Sequence, residues 1–255
     1  MMFNWLNLGL NSTCNKSCSF CGRAEARKNG TLELGEMPLE LVNDILTQYD
    51  GEIVQINKDG EPLLYNNIWA VGQMCRPFVS NIVTNGILLW EKKDAIIENF
   101  TSVTVSVIED DEAQFEIVKK FIEHKGNRNP MVYIKFLGDY ENHEYEMLGL
   151  RTMRRSIHNK MGDTDYIQSP PPIPEIGVCL DFLNKPSIDW QGDFHICNRY
   201  DPNNEGVIGN CNESGVRKIW ESTDRETMKY YHTHGMRENI PLCRGCQYWG
   251  LPANG

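Results

Sequence analysis

Up to about Leu150 the apolar positions recur in two alternating periods, which predicts strand after helix in regular succession. Short apolar or alternating runs at Phe3 to Leu10, Ile53 to Asn57, Asn81 to Thr84, Ser102 to Ile108 and Met131 to Phe136 read as strands. Between them, Pro38 to Gln48 carries Leu39, Val42, Ile45 and Leu46 at helical spacing, with Pro38 suited to the first turn. Helical spacing also covers Asn66 to Arg76, Leu88 to Asn99 and Asp111 to Lys125. The last of these has Phe115, Val118, Phe121 and Ile122 on one face, Asp110 or Asp111 as a cap and Gly126 at its end. Repeated β-then-α units imply an α/β fold with a parallel sheet, open or curled into a partial barrel, whose working loops gather at the carboxyl ends of the strands. Beyond Leu150 the pattern gives way to a basic stretch, Arg151, Arg154, Arg155 and Lys160, which reads as a solvated helix face. Pro170, Pro171, Pro172 and Pro174 follow. The expected division is a first domain over 1–165, a Pro-rich linker over 166–176 and a second domain over 177–255. In the latter, Ile188 to Cys197 predicts a hairpin turning at Gln191 to Asp193, and Val216 to Tyr231 a helix.

Charge narrows the class of partner. The 255 residues contain 25 Lys and Arg against 35 Asp and Glu, a net charge of −10, which opposes the attraction that drives most nucleic-acid binding. The opening stretch carries Asn4 and Asn7 and lacks a basic segment, so it reads as a buried strand and not a signal peptide. No uninterrupted apolar run approaches the length of a membrane span. The expectation is a cytoplasmic protein that binds neither nucleic acid nor membrane. Nine cysteines without an export signal then point to metal or redox chemistry, not disulfides.

Spacing sorts the cysteines. Cys14, Cys18 and Cys21 form a CxxxCxxC triad in the loop after the first strand; three soft thiolates within eight residues can wrap one face of an iron–sulfur cube and leave the fourth iron open. Structural zinc is the competing reading, but its sites usually pair CxxC with CxxC. A second set, Cys179, Cys197, Cys243 and Cys246, closes on a CxxC pair and could hold either a fully ligated cluster or zinc. Cys75 and Cys211 fall outside both sets and read as small buried hydrophobes; the alternative, a thiol that quenches a substrate radical, has no local support.

The triad, with Phe20 just before its last cysteine, resembles the signature of the radical S-adenosylmethionine superfamily, and Gly60, Glu61 and Pro62 at the end of the second strand resemble that family's GEP motif. The resemblance implies a partial (β/α)6 TIM-type barrel. It also implies S-adenosylmethionine chelating the open iron of one [4Fe-4S] cluster, its amino group held by the GEP turn and Glu61. Asn85 and Gly86 sit where the family often reads TNG, and Ser106 matches a strand serine near the cofactor ribose. Twelve residues separate Cys179 from Gly192, and four more precede Cys197, which is similar to the opening of SPASM and Twitch auxiliary-cluster domains; Gly209, Asn210, Ile219 and Trp220 resemble a further stretch of them. The place of the next SPASM cysteine is Pro252, which implies the shorter Twitch form, a small hairpin-plus-helix domain with a second [4Fe-4S] cluster.

What the resemblance implies about chemistry is a 5'-deoxyadenosyl radical that abstracts hydrogen, fed by an external one-electron donor such as flavodoxin or ferredoxin. Similarity to radical dehydrogenases of aminoglycoside biosynthesis implies oxidation of a secondary alcohol on a sugar or cyclitol, with the auxiliary cluster accepting an electron. A peptide-modifying enzyme making thioethers, crosslinks or epimers is the alternative, and a zinc-stapled binding module a more remote one. Arg151, Arg154 and Arg155 are candidate substrate contacts, Arg155 the candidate catalytic residue among them, and His158 and His195 candidate bases, although His195 is expected simply to pack in the hairpin.

Overall fold

The computed structural model of the chain describes residues 3–138, 140–155 and 179–246. Its first half is the expected alternation. β1 (Trp5–Leu8) leads through the short α1 (Ala24–Lys28) to α2 (Leu39–Gln48). Then come β2 (Ile53–Ile56), α3 (Ile68–Cys75), β3 (Val79–Thr84), α4 (Lys93–Asn99), β4 (Ser102–Val107), α5 (Glu112–Lys125), β5 (Met131–Leu137), α6 (Glu144–Met147) and β6 (Arg151–Arg155). These six strands pair in sequence order, every neighbour parallel. The fold is mixed α/β with a largely parallel sheet, as the β-then-α pattern requires.

Three local readings need correction. The basic stretch is not a helix face: Arg151 to Arg155 forms the sixth strand, paired with β5 from Tyr133↔Arg151 to Leu137↔Arg155. The helix expected from Leu88 begins only at Lys93, because turns around Gly86 (φ 79°) occupy the preceding residues. The helix expected from Val216 to Tyr231 is two, α8 (Val216–Trp220) and α9 (Thr223–Thr233), since Ser222 leaves the helical backbone and caps the second by accepting a hydrogen bond from the Arg225 N–H. Lys160, His158, the proline run and both expected domain limits lie outside the described residues.

The second half continues the same sheet. After α7 (Leu180–Asn184), β7 (Ser187–Ile188) pairs parallel with β1, and β8 (Asp193–His195) and β9 (Val207–Asn210) extend it antiparallel, before α8, α9 and the short α10 (Pro241–Arg244). Strand order is β6-β5-β4-β3-β2-β1-β7-β8-β9, so β1 lies between the two halves. The predicted hairpin is present, with Ile188 opposite Phe194. An aromatic group cements the joint: Phe3 lies 5.2 Å from Tyr49, 4.7 Å from Trp220 of α8 and 6.0 Å from Phe194 of β8, centroid to centroid.

Candidate functional site

The loop after β1 is laced to the turn after β2. The Glu61 N–H donates to the Thr13 carbonyl (2.7 Å), the Asn11 side-chain amide donates to the Glu61 carbonyl (3.1 Å), and the buried Arg23 guanidinium spans the carbonyls of Asp59 and Ser12. The approach is so close that a Cβ on Gly60 would run into Asn11 and the Thr13 carbonyl, which is why the turn carries glycine there. Pro62 then starts a tight 3-10 turn, Pro62–Leu64. Phe20 is buried against Leu137, Cys18 and Ile108, which braces the cysteine loop across the carboxyl ends of β4 and β5.

Cys14, Cys18 and Cys21 meet at this loop. Burial pushes the Cys18 thiol up, and Cys21 and Cys14 push it further, so both of those thiols stand within electrostatic reach of Cys18. Cys14 Sγ has the Lys16 backbone N–H at 3.4 Å and the Asn85 amide nitrogen at 3.9 Å. Three thiols on the wall of one cavity, one of them with two N–H donors near its sulfur, have the donor chemistry of an iron–sulfur site.

One cavity of about 250 Å³ gathers most of the candidate residues. Its lining includes the three cysteines, Phe20, Gly60, Glu61, Asn85, Ser106 and Arg155. Glu61 is buried, and three donors hold its carboxylate: Thr84 Oγ1 (2.6 Å) and the Leu63 N–H (3.1 Å) on Oε1, and the Asn85 N–H (2.8 Å) on Oε2. Oε2 keeps an acceptor position. Burial raises the Glu61 pKa despite those bonds, the condition of a carboxylate that lacks a counter-cation. Pro62 is buried behind the turn. Gln114 of α5 donates to the carbonyls of Asn85 (2.6 Å) and Ser106 (3.0 Å), fixing the ends of β3 and β4 together.

The arginines separate. Arg155 reaches the cavity from the end of β6, whereas Arg154 points to the other face, where it binds Glu141 (3.1 Å) and the Gly138 carbonyl (3.1 Å). Arg151 starts the strand, exposed and outside the cavity lining. Lys58, Lys135, Asn198 and Tyr200 also line the cavity, and no motif marks them in the sequence. Asn198 and Tyr200 come from the second half, and Asn198 Oδ1 is buried with no hydrogen-bond partner among the described residues. A neighbouring cleft of about 320 Å³, between α1 and the loop around Asp201 to Glu205, shares Tyr200 but contains none of the triad cysteines.

Cys179, Cys197, Cys243 and Cys246 converge on a second, small apolar pocket with Phe182, Arg199, His232 and Arg237. Burial first, then Cys197, Cys246 and Cys179, push the Cys243 thiol up, so the other three thiols lie within electrostatic reach of Cys243, and four cysteines around one pocket have the donor chemistry of an iron–sulfur or zinc site. Cys75 is fully buried and its pKa rises to about 12, as does that of Cys211, in keeping with inert packing. His195 does more than pack. Its Nε2 lies 3.0 Å from Asp189 Oδ2 and its Nδ1 3.5 Å from Asp201 Oδ2, a buried clamp between hairpin and following loop that stands away from the cavity lining. The candidate His158 lies outside the described residues.

Comparison with known proteins agrees with this anatomy. Residues 179–247 match the SPASM iron–sulfur cluster-binding domain. Over 96% of its length the chain is 24% identical to 93% of an S-adenosyl-L-methionine-dependent 2-deoxy-scyllo-inosamine dehydrogenase of Niallia circulans. Among solved structures, it resembles BtrN in complex with AdoMet and 2-DOIA (TM-score 0.69, 21% identity, 96% of this chain and 92% of that one). It also resembles Streptococcus suis SuiB bound to S-adenosylmethionine (TM-score 0.72, 16% identity, all of this chain and 73% of that one). At these identities the solved structures speak to fold alone, over 96% and 100% of this chain. The spacing of the cysteines, the domain they match and the relative aligned over nearly the whole chain point the same way: they support a radical S-adenosylmethionine enzyme with a SPASM/Twitch-type C-terminal domain.

Proposed function

We propose that this enzyme oxidises a secondary alcohol of a sugar or cyclitol by two electrons. The observation that carries the reading is the position of Asn198: it follows Cys197 of the auxiliary set directly, yet it lines the triad cavity, and its amide oxygen is buried with no hydrogen-bond partner among the described residues. An acceptor there suits a substrate hydroxyl, and it belongs to the residue next in the chain after a thiol able to bind an electron acceptor. The dehydrogenase relative, matched over nearly the whole chain, supports the same chemistry.

In this reading Cys14, Cys18 and Cys21 would hold a [4Fe-4S] cluster with an open iron, and Cys179, Cys197, Cys243 and Cys246 a second, fully ligated one. When bound, cluster and S-adenosylmethionine supply a 5'-deoxyadenosyl radical that takes hydrogen from carbon. The protein's part is placement. The fourth acceptor position of Glu61 receives the cofactor's ammonium group, Asn85 and Ser106 line its bed, and Arg155 holds the substrate hydroxyl and stabilises the oxygen as its proton leaves. In sum the alcohol would give up a hydrogen atom from carbon to the cofactor-derived radical, a proton from oxygen to solvent, and one electron to the group held by the auxiliary cysteines. An external flavodoxin- or ferredoxin-type donor would start each cycle. A cytoplasmic setting suits such a donor, and among the described residues no helix is long and apolar enough to cross a membrane.

The test is an oxygen-free assay for substrate-dependent 5'-deoxyadenosine with candidate cyclitols and sugars. Cys14→Ala is expected to abolish it, whereas Cys243→Ala keeps cofactor cleavage but loses the ketone. The same ketone at an undiminished rate from Cys243→Ala would overturn the electron-acceptor role. A second reading, peptide modification, draws on the likeness to SuiB, also solved bound to the precursor peptide SuiA (TM-score 0.72, 15% identity). Turnover of a peptide encoded beside this gene, with none of any alcohol, would favour it. Zinc without labile sulfide in anaerobically purified protein would exclude both.

A further inference from the structure

An imidazole lies against the auxiliary cysteines, and the alcohol-oxidation reading gives it no task. His232 of α9 is 3% exposed, and its Nε2 stands 3.6 Å from Cys243 Sγ. The ring stacks on Phe182, with centroids 4.3 Å apart and planes 20° apart, and Phe182 belongs to the first turn after Cys179. The imidazole is thus clamped by an element that itself leaves the same site.

A neutral imidazole carries a single N–H, and its place is set by which ring nitrogen meets an acceptor. Nδ1 is buried with no hydrogen-bond partner among the described residues, so no acceptor there attracts the proton. A metal-bound thiolate at Nε2 does. With the proton on Nδ1, the Nε2 lone pair would instead face a negatively charged sulfur.

We infer that His232 donates an Nε2–H hydrogen bond to the Cys243 sulfur and thereby raises the reduction potential of the auxiliary cluster, which makes that cluster a better electron acceptor. The inference rests on reading the four cysteines as an iron–sulfur site. Reduction adds negative charge that spreads over the ligand sulfurs, and a donor aimed at one of them stabilises the reduced state more than the oxidised one. Two buried guanidinium groups act in the same direction: Arg237 donates to the Cys246 carbonyl (3.0 Å) and Arg199 to the Leu242 carbonyl (2.6 Å), and both line the pocket. They set a positive background. His232 brings a side-chain donor to a sulfur, and it acts on the reaction through Cys243, as a positioning residue and not a catalytic one.

The experiment uses the full chain with Cys14, Cys18 and Cys21 replaced by Ala, so that the only cluster signal comes from the auxiliary site. It is reconstituted with iron and sulfide and titrated electrochemically under paramagnetic resonance. His232→Phe keeps the stack on Phe182 and removes the donor. At the potential that half-reduces the parent protein, the reduced-to-oxidised ratio of His232→Phe should fall about tenfold, which is about 59 mV for one electron, with iron and labile sulfide unchanged. An unshifted potential with a full cluster overturns the inference. The parent protein labelled with ¹⁵N-histidine gives an independent answer should His232→Phe fail to assemble: a weak nitrogen coupling in the reduced cluster supports the hydrogen bond. No coupling, or the strong coupling of a directly bound imidazole, overturns it. Zinc without sulfide in the parent would instead show the failure of the iron–sulfur reading itself, before any change at His232.

Discussion

At Glu61 one carboxylate tests the proposed cofactor bed. Its pKa is raised by burial, so in the ligand-free protein it stabilises the fold in its protonated form, and that contribution is lost as pH climbs from the ordinary carboxylate value to the raised one. A bound ammonium group reverses the sign, because it favours the ionised form. The thermal shift caused by S-adenosylmethionine should therefore grow as pH rises through this acidic window, and Glu61→Gln should flatten the dependence. A ligand-induced shift of wild-type protein that is constant across the window would argue against contact between Glu61 and the cofactor. The substitution should also cost roughly 1–3 kcal/mol, since an amide nitrogen cannot accept from the Asn85 N–H.

At the scale of elements, α5 anchors the cysteine loop from the far side. Asp111 accepts the Gln114 N–H (3.0 Å) as helix cap and pairs with Lys16 (3.1 Å), two residues past Cys14. Its pKa is lowered, first by that backbone N–H, so its stabilisation is present above the ordinary carboxylate range and fades as pH falls. Asp111→Ala should cost about 1 kcal/mol in urea unfolding. Asp111→Asn should recover the cap but not the ion pair, leaving amide exchange around Lys16 faster than in wild type; equal behaviour of the two variants would mean that Lys16 contributes nothing to the loop. The cap itself was legible in the sequence, as were β1 to β5, because each buries a continuous or alternating apolar set. β6 was not. Arg151 to Arg155 is an edge strand whose alternating side chains are Arg, Met and Arg, so the strand shows no hydrophobic period. The break at Ser222 did leave a sign, since a serine followed by Thr223 and Asp224 is a helix start. Contacts such as His232 with Cys243 or Asp189 with His195 depend on turns and helix packing that no local pattern encodes, and the cysteines were readable only because ligand spacing is local.

Across the whole molecule, the aromatic joint is the feature on which both sites depend. Phe3 is buried between Tyr49 of the first half and Trp220 and Phe194 of the second, and Phe3→Ala should cost about 3–5 kcal/mol. If the joint aligns the halves, this variant will lose ketone formation more steeply than cofactor cleavage in temperature-dependent assays; parallel loss of both would reduce the joint to general stability. Beside it, β1 pairs on one edge with β2, whose end carries Gly60, and on the other with β7 through Asn7↔Ser187 and Leu8↔Ile188. Electron transfer falls steeply with separation, and here the separation is ruled off in backbone hydrogen bonds counted from one strand. The spacing of the two cysteine sets is thus a matter of strand register. With both sets holding clusters, as proposed, the distance an electron crosses between them is set by the pairing of β1 with β2 and with β7.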